Sequence, residues 1–167
     1  MTPRPAGELL YLRLPMTPAE EVTLDDAVIA RGLDYDAWVG ALDPRSGLYD
    51  AARLRDALPT FEALALEVLG RAPTRVVRVE TVVPFDWNAF DGIATMNVRL
   101  ASLPGALPSP QEWRFFGADD SRVPHLWCSF EPPGLLIVGL LDAPDWHAWW
   151  EAFDAATGSL PKRRLGW

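Results

Sequence analysis

The chain has a single cysteine, Cys128. An intrachain disulfide is therefore excluded, and so is a zinc site that needs a pair of thiolates. Histidine is almost as scarce, with only His125 and His147, which leaves little imidazole for a metal centre; no metal ligand set and no cofactor are expected. Lysine occurs once, at Lys162, and the fourteen arginines do not offset 23 acids, so the net charge is −8. Neutralising phosphates supplies most of the affinity of a nucleic-acid binder, and a chain without a basic footprint is not expected to bind nucleic acid. The one basic cluster, "KRR" at 162–164, falls in the C-terminal tail.

Long apolar runs are missing too. The longest, "GLLIVGLL" at 134–141, falls far short of the roughly 18 residues that suggest a membrane span and fits a buried strand. The first residues carry no hydrophobic stretch of signal-peptide length, and Thr2 stands where a myristoylation motif needs glycine. The expectation is a cytoplasmic protein without membrane association. A G-x-S-x-G elbow, a phosphate-binding P-loop and a G-x-G-x-x-G turn are all absent. No reaction is therefore legible from a motif.

What is present is a globular composition, 49% hydrophobic and 23% charged, with the size of one ordinary domain. Abundant Arg, Ala, Leu, Pro and Trp with three Ile read as the product of a GC-rich bacterial genome. Residues 1–72 read as a strand followed by helices. "ELLYLRL" (8–14) alternates as a strand does. "TPAE" (17–20) is a capping box with proline in the first turn, and Thr23 with Asp26 offers a second helix start before Gly32. Asp34 can cap a short helix through "YDAWVGAL". A helix is expected over 48–57, and another over 60–70, where Phe61, Leu64, Ala65, Val68 and Leu69 share a stripe.

Residues 73–141 read as antiparallel strands. "TRVVRVETVV" (74–83) and "IATMNVRLA" (93–101) both alternate, "EWRFF" (112–116) suits a short strand, and 125–141 suits a hairpin turning at Pro133–Gly134. The chain closes with a helix over 142–158 and a tail over 159–167. The expected architecture is a single α+β domain: an antiparallel sheet of about five or six strands with helices mainly on one face. In the last helix, Trp146, Trp149, Trp150 and Phe153 fall within a sector about 100° wide, the width of a core-facing stripe. His147 and Glu151, spaced i, i+4, are two side chains on one face and do not make a metal site.

Several segments are weighed as sites. "DAVIARGLDYDAW" (26–38) has the outline of a helix-turn-helix, but Asp34 and Asp36 at the head of its second helix would repel phosphates. "DWNAFDG" (86–92) lacks the spacing and the bidentate glutamate of a calcium loop and reads as a turn. Cys128, between Leu126 and Phe130 on one strand face, reads as a small buried hydrophobe; His125 points to the other face. If helices cover one side of the sheet, the opposite side gathers Tyr11, Arg13, Arg78, Glu80, Asn97, Arg99, His125, Trp127, Ser129 and Glu131. Arg and Trp are frequent interface hot spots.

Two functional readings follow. In the first, the protein is a non-enzymatic binding module. It meets a protein partner, or a second copy of itself, through the open sheet face (Arg13, Arg78, Arg99, Trp127) or through acids at Glu20, Glu21, Asp25, Asp26, Asp34 and Asp36. In size and acidity the chain is similar to bacterial immunity and inhibitor proteins, a likeness that rests on no shared motif. In the second, it is a small-molecule enzyme. His125 or Glu131 is then the acid-base group, and Arg78 or Arg99 holds an anionic substrate.

Overall fold

The computed structural model describes residues 3–108 and 113–164. Glu112, the first residue of the "EWRFF" segment, and Trp167 lie outside them. The chain divides into two compact units, Leu9–Val76 and a second made of residues 1–8 and 77–167, here the helical unit and the sheet unit.

In the helical unit, β1 (Glu8–Arg13) pairs antiparallel with β2 (Leu48–Asp50), with Leu12 opposite Tyr49. Helix α1 (Pro18–Ala30) opens on the expected capping box: Thr17 accepts from the Glu20 amide at 3.2 Å, and Glu20 reaches back to the Thr17 amide. Thr23 does not start a new helix. Its hydroxyl donates to Ala19 O at 2.9 Å inside α1, a back-bond that lets a threonine sit mid-helix. Gly32, at φ +66°, makes the turn, and Asp34 then caps α2 (Tyr35–Ala41) through the Ala37 amide at 3.0 Å.

The helix expected over 48–57 is instead a strand, β2, followed by α3 (Ala51–Leu54) and a 3-10 turn, Arg55–Ala57. Asp50 divides them by accepting from the Ala52 amide at 2.9 Å. Helix α4 (Leu58–Leu69) begins before Pro59, which occupies its first turn, where a missing amide hydrogen costs nothing. Leu12, Leu24, Val28, Trp38, Phe61, Leu64 and Ala65 form the core of this unit.

Strand β3 (Thr74–Val83) runs from the helical unit into the sheet unit. In the sheet unit the strand order is β3-β7-β6-β5-β4. The described residues thus hold seven strands rather than five or six. The two extra are short, β2 and β4 (Ala106–Leu107), the latter inside a segment expected to be a proline-rich loop. Strand β5 (Trp113–Phe115) pairs with β6 (His125–Glu131), and β6 pairs along its length with β7 (Gly134–Asp142), both antiparallel.

The β6–β7 turn is at Pro132–Pro133, one residue earlier than expected, because Glu131 pairs directly with Gly134. Gly134 is required there. It holds φ +154°, and a Cβ would stand 2.0 Å from Val83 O.

The largest departure is 93–101. It is helix α5 (Gly92–Ala101), not a strand, with Gly92, Met96 and Leu100 buried. Those three are spaced i, i+4, i+8, a helical stripe that the alternation of Met96, Val98 and Leu100 conceals. Val98 is 72% exposed and Ile93 62%. Helix α6 (Ala143–Thr157) buries Trp146, Trp149, Trp150 and Phe153 as expected. Both helices pack with Val79, Phe115, Leu126, Cys128 and Ile137 in one core, so within this unit the helices share one face of the sheet. Trp149 and Phe153 stack at 5.1 Å between centroids.

Candidate functional site

The residues proposed for acid-base chemistry do not converge. His125 begins β6 and Glu131 ends it; six residue steps along the strand separate them by about 20 Å. His125 is buried, and its Nδ1 lies 2.6 Å from Arg122 O. Tied to a carbonyl, that nitrogen carries the proton. Glu131 accepts from Ser129 Oγ at 2.8 Å. Asn97 and Arg99 are on α5, not on a strand, so they leave the sheet face altogether. Arg99 donates to Ala156 O of α6 at 3.1 Å, and Asn97 accepts from the Trp113 indole at 2.7 Å.

Arg78 lies on β3, exposed, 4.0 Å from Glu80. Arg13 lies on β1 in the helical unit, opposite Leu48. Trp127 is half-buried on β6 with Arg114 and Val138 as its strand partners. The face it occupies is less polar than the alternation implies, since β7 contributes half-buried Leu136, Val138 and Leu140 there. Cys128 faces the core, and burial pushes its thiol well above the usual range, which makes it inert as a nucleophile. His147 and Glu151 form an exposed pair at 3.0 Å. Among the described residues no three His, Cys, Asp or Glu side chains are placed to hold a metal, and no helix is long and apolar enough to cross a membrane.

The acids of the helical unit divide into two kinds. Three have structural duties. Asp25 accepts from the buried Trp38 indole at 3.1 Å, Asp34 caps α2, and Glu20 belongs to the capping box while pairing with Arg71. The Arg71 guanidinium holds the Glu20 carboxyl below its ordinary range. Glu21, Asp26 and Asp36 are exposed on the helices.

The same two helices also expose apolar side chains that sequence reasoning passed over. Val22 is 59% exposed, Ile29 58%, Tyr35 37% and Val39 46%. On α1, Val22, Asp26 and Ile29 fall on one side, opposite buried Leu24 and Val28. On α2, Tyr35 and Val39 are one turn apart. The available signal was that α1 is apolar on two sides, one more than its core contact needs. Leu33, Trp38, Leu54 and Phe61 also line an apolar hollow of about 120 Å³ that opens beside Asp34.

No protein-family model, curated protein or solved structure matches the chain.

Proposed function

We propose that the protein is a non-enzymatic binding module, of the inhibitor or immunity kind, that engages a basic protein partner through the outward faces of α1 and α2. The observation that supports this most is the exposure of Val22 and Ile29 on the side of α1 that carries Asp26, and of Tyr35 and Val39 on α2 with Asp36. Large apolar side chains exposed as a group mark interaction surfaces. Tyrosine is a frequent hot-spot residue, and surrounding carboxylates steer a cationic partner toward the patch. Against an enzyme stand the separation of His125 from Glu131 and the engagement of Arg99 with α6.

The test is native mass spectrometry of the tagged protein isolated from its own host, repeated with two variants. Asp26→Lys with Asp36→Lys reverses exposed charges that make no cap. Ile29→Asp removes an apolar contact at no cost to the core. A co-purifying basic protein is expected with the parent and lost with both. Retention of the same protein by both variants would overturn the reading.

A second reading, self-association through Trp127, Leu136, Val138 and Leu140, draws on the half-buried apolar row of the sheet unit. Sedimentation would show a dimer that Trp127→Ala dissolves.

A further inference from the structure

Glu21 and Asp25 stand four residues apart on α1, so their side chains are neighbours on one side of the helix, where like charges repel. Three other acids of the helical unit meet arginines: Glu20 pairs with Arg71, Glu62 with Arg75 and Glu67 with Arg31. Among the described residues, no basic side chain pairs with Glu21 or Asp25. Glu21 is exposed and Asp25 half-buried. Asp25 gives Oδ1 to the Trp38 indole at 3.1 Å, and its Oδ2 has no hydrogen bond to a described residue.

A second, separate observation comes from β2. Tyr49 is 3% exposed, and its ring lies 4.8 Å from Trp38 and 5.0 Å from Phe61 between centroids. Its hydroxyl makes no hydrogen bond to any described residue, although a phenol enclosed this far ordinarily finds a partner. The hydroxyl faces the same two acids. Its ring neighbour Trp38 is bonded to Asp25, and after burial itself it is the charges of Asp25 and Glu21 that hold the phenol's proton in place. A protonated phenol still accepts through its oxygen. Two carboxylates and a phenol oxygen, from α1 and β2, are thus within reach of one another's charge, and no described residue supplies them with a cation.

Such a set is completed by a cation with several donors. An ammonium is compact and strongly hydrated. A guanidinium is planar, more weakly hydrated and carries five N–H donors, which suits acceptors on three residues beside a half-buried carboxylate. Val22 and Ile29, three residues before Asp25 and four after it, are exposed beside the pair and offer apolar contact to a methylene stem. Building on the binding surface proposed for α1 and α2, we propose that Glu21, Asp25 and Tyr49 form the anchor site for one arginine side chain of the basic protein partner.

The experiment titrates the full-length protein with acetyl-Leu-Arg-Leu amide, with the same peptide carrying citrulline, the neutral isostere of arginine, and with its lysine counterpart, all at constant ionic strength. Binding is read from the Trp38 indole N–H signal, since that group donates to Asp25. The arginine peptide should give a saturable shift and bind about fivefold or more tighter than the citrulline peptide, the worth of one or two partly exposed ion pairs. Glu21→Gln, which alters neither a cap nor the core, should weaken the arginine peptide about two- to fivefold at an unchanged melting temperature, and leave the citrulline peptide as it was. Tyr49→Phe should weaken the arginine peptide by a similar factor, about that of one hydrogen bond. No saturable shift at about 50 mM arginine peptide, well beyond a millimolar affinity, would overturn the proposal. So would equal affinity for the citrulline or the lysine peptide, or an unchanged affinity in Glu21→Gln. If the peptides fail while a basic protein still co-purifies and is lost with Ile29→Asp, the binding surface stands and the arginine anchor alone falls.

Discussion

Asp25 and Asp26 are adjacent and identical in sequence, yet the structure predicts opposite outcomes when each is replaced by alanine. Trp38 is 6% exposed, and its indole N–H points at Asp25 Oδ1 at 3.1 Å. Removing the carboxylate leaves that donor without its acceptor in a core that also holds Tyr49 and Phe61, whose rings lie 4.8 and 3.9 Å from Trp38. Stranding a buried donor costs about 1–3 kcal/mol. Asp25 is half-buried, so water can replace part of the bond, and a loss of about 1.5 kcal/mol is expected. For a chain of this size that is roughly a 3–6 °C fall in melting temperature. Asp26, exposed on the far side of α1, should move stability by no more than about 0.5 kcal/mol.

Asp25→Asn retains an oxygen acceptor and should recover more than half of the loss. Thermal melts followed by near-ultraviolet circular dichroism, which reports on the Trp38 environment, read all three variants. Equal melting temperatures for Asp25→Ala and Asp26→Ala would refute the reasoning and deny Asp25 its structural duty.

Tyr49 extends the same argument to pH. Burial, and then the charges of Asp25 and Glu21, raise its phenol to about 12, above the usual value near 10. The folded state therefore holds a proton that the unfolded chain releases. The stabilisation is complete below about pH 10 and is lost as pH rises toward 12; Tyr49→Phe should flatten that decline in urea melts. Gly134→Ala should cost about 3 kcal/mol or more, since a Cβ would sit 2.0 Å from Val83 O at φ +154°. Gly40→Ala should instead gain about 0.5–1 kcal/mol, because nothing lies within 4 Å of the new methyl in α2. Chemical denaturation of the two alanine variants decides both. Cys128 should react with a disulfide reagent only upon unfolding, since burial keeps it a thiol; rapid labelling of the native protein would contradict its placement.

Local chemistry made much of the fold legible. The capping box at Thr17–Glu20, the Asp34 cap, the alternation of β3, the stripe of α4 and the tryptophan face of α6 all follow from residues within a turn or two of one another. The charge of −8 and the single cysteine likewise narrow the chemistry through composition alone.

Residues 93–101 show where that legibility stops. Met96, Val98 and Leu100 satisfy a strand and Gly92, Met96 and Leu100 satisfy a helix, and the choice between them is made by the packing of α5 against α6 in a shared core. That choice moved Arg99 and Asn97 off the sheet and took one of the three arginines from the expected face. The candidate sites were hidden for the same reason. Which of Asp25 and Asp26 is structural depends on an indole 13 residues away. Tyr49 comes within reach of Glu21 and Asp25 only because β2 and α1 share a core. Sequence by itself determined the caps, the charge and the apolar stripes, since each depends on neighbours along the chain. Tertiary structure alone decided which stripes are buried and which acids remain available, because those are properties of distant segments in contact.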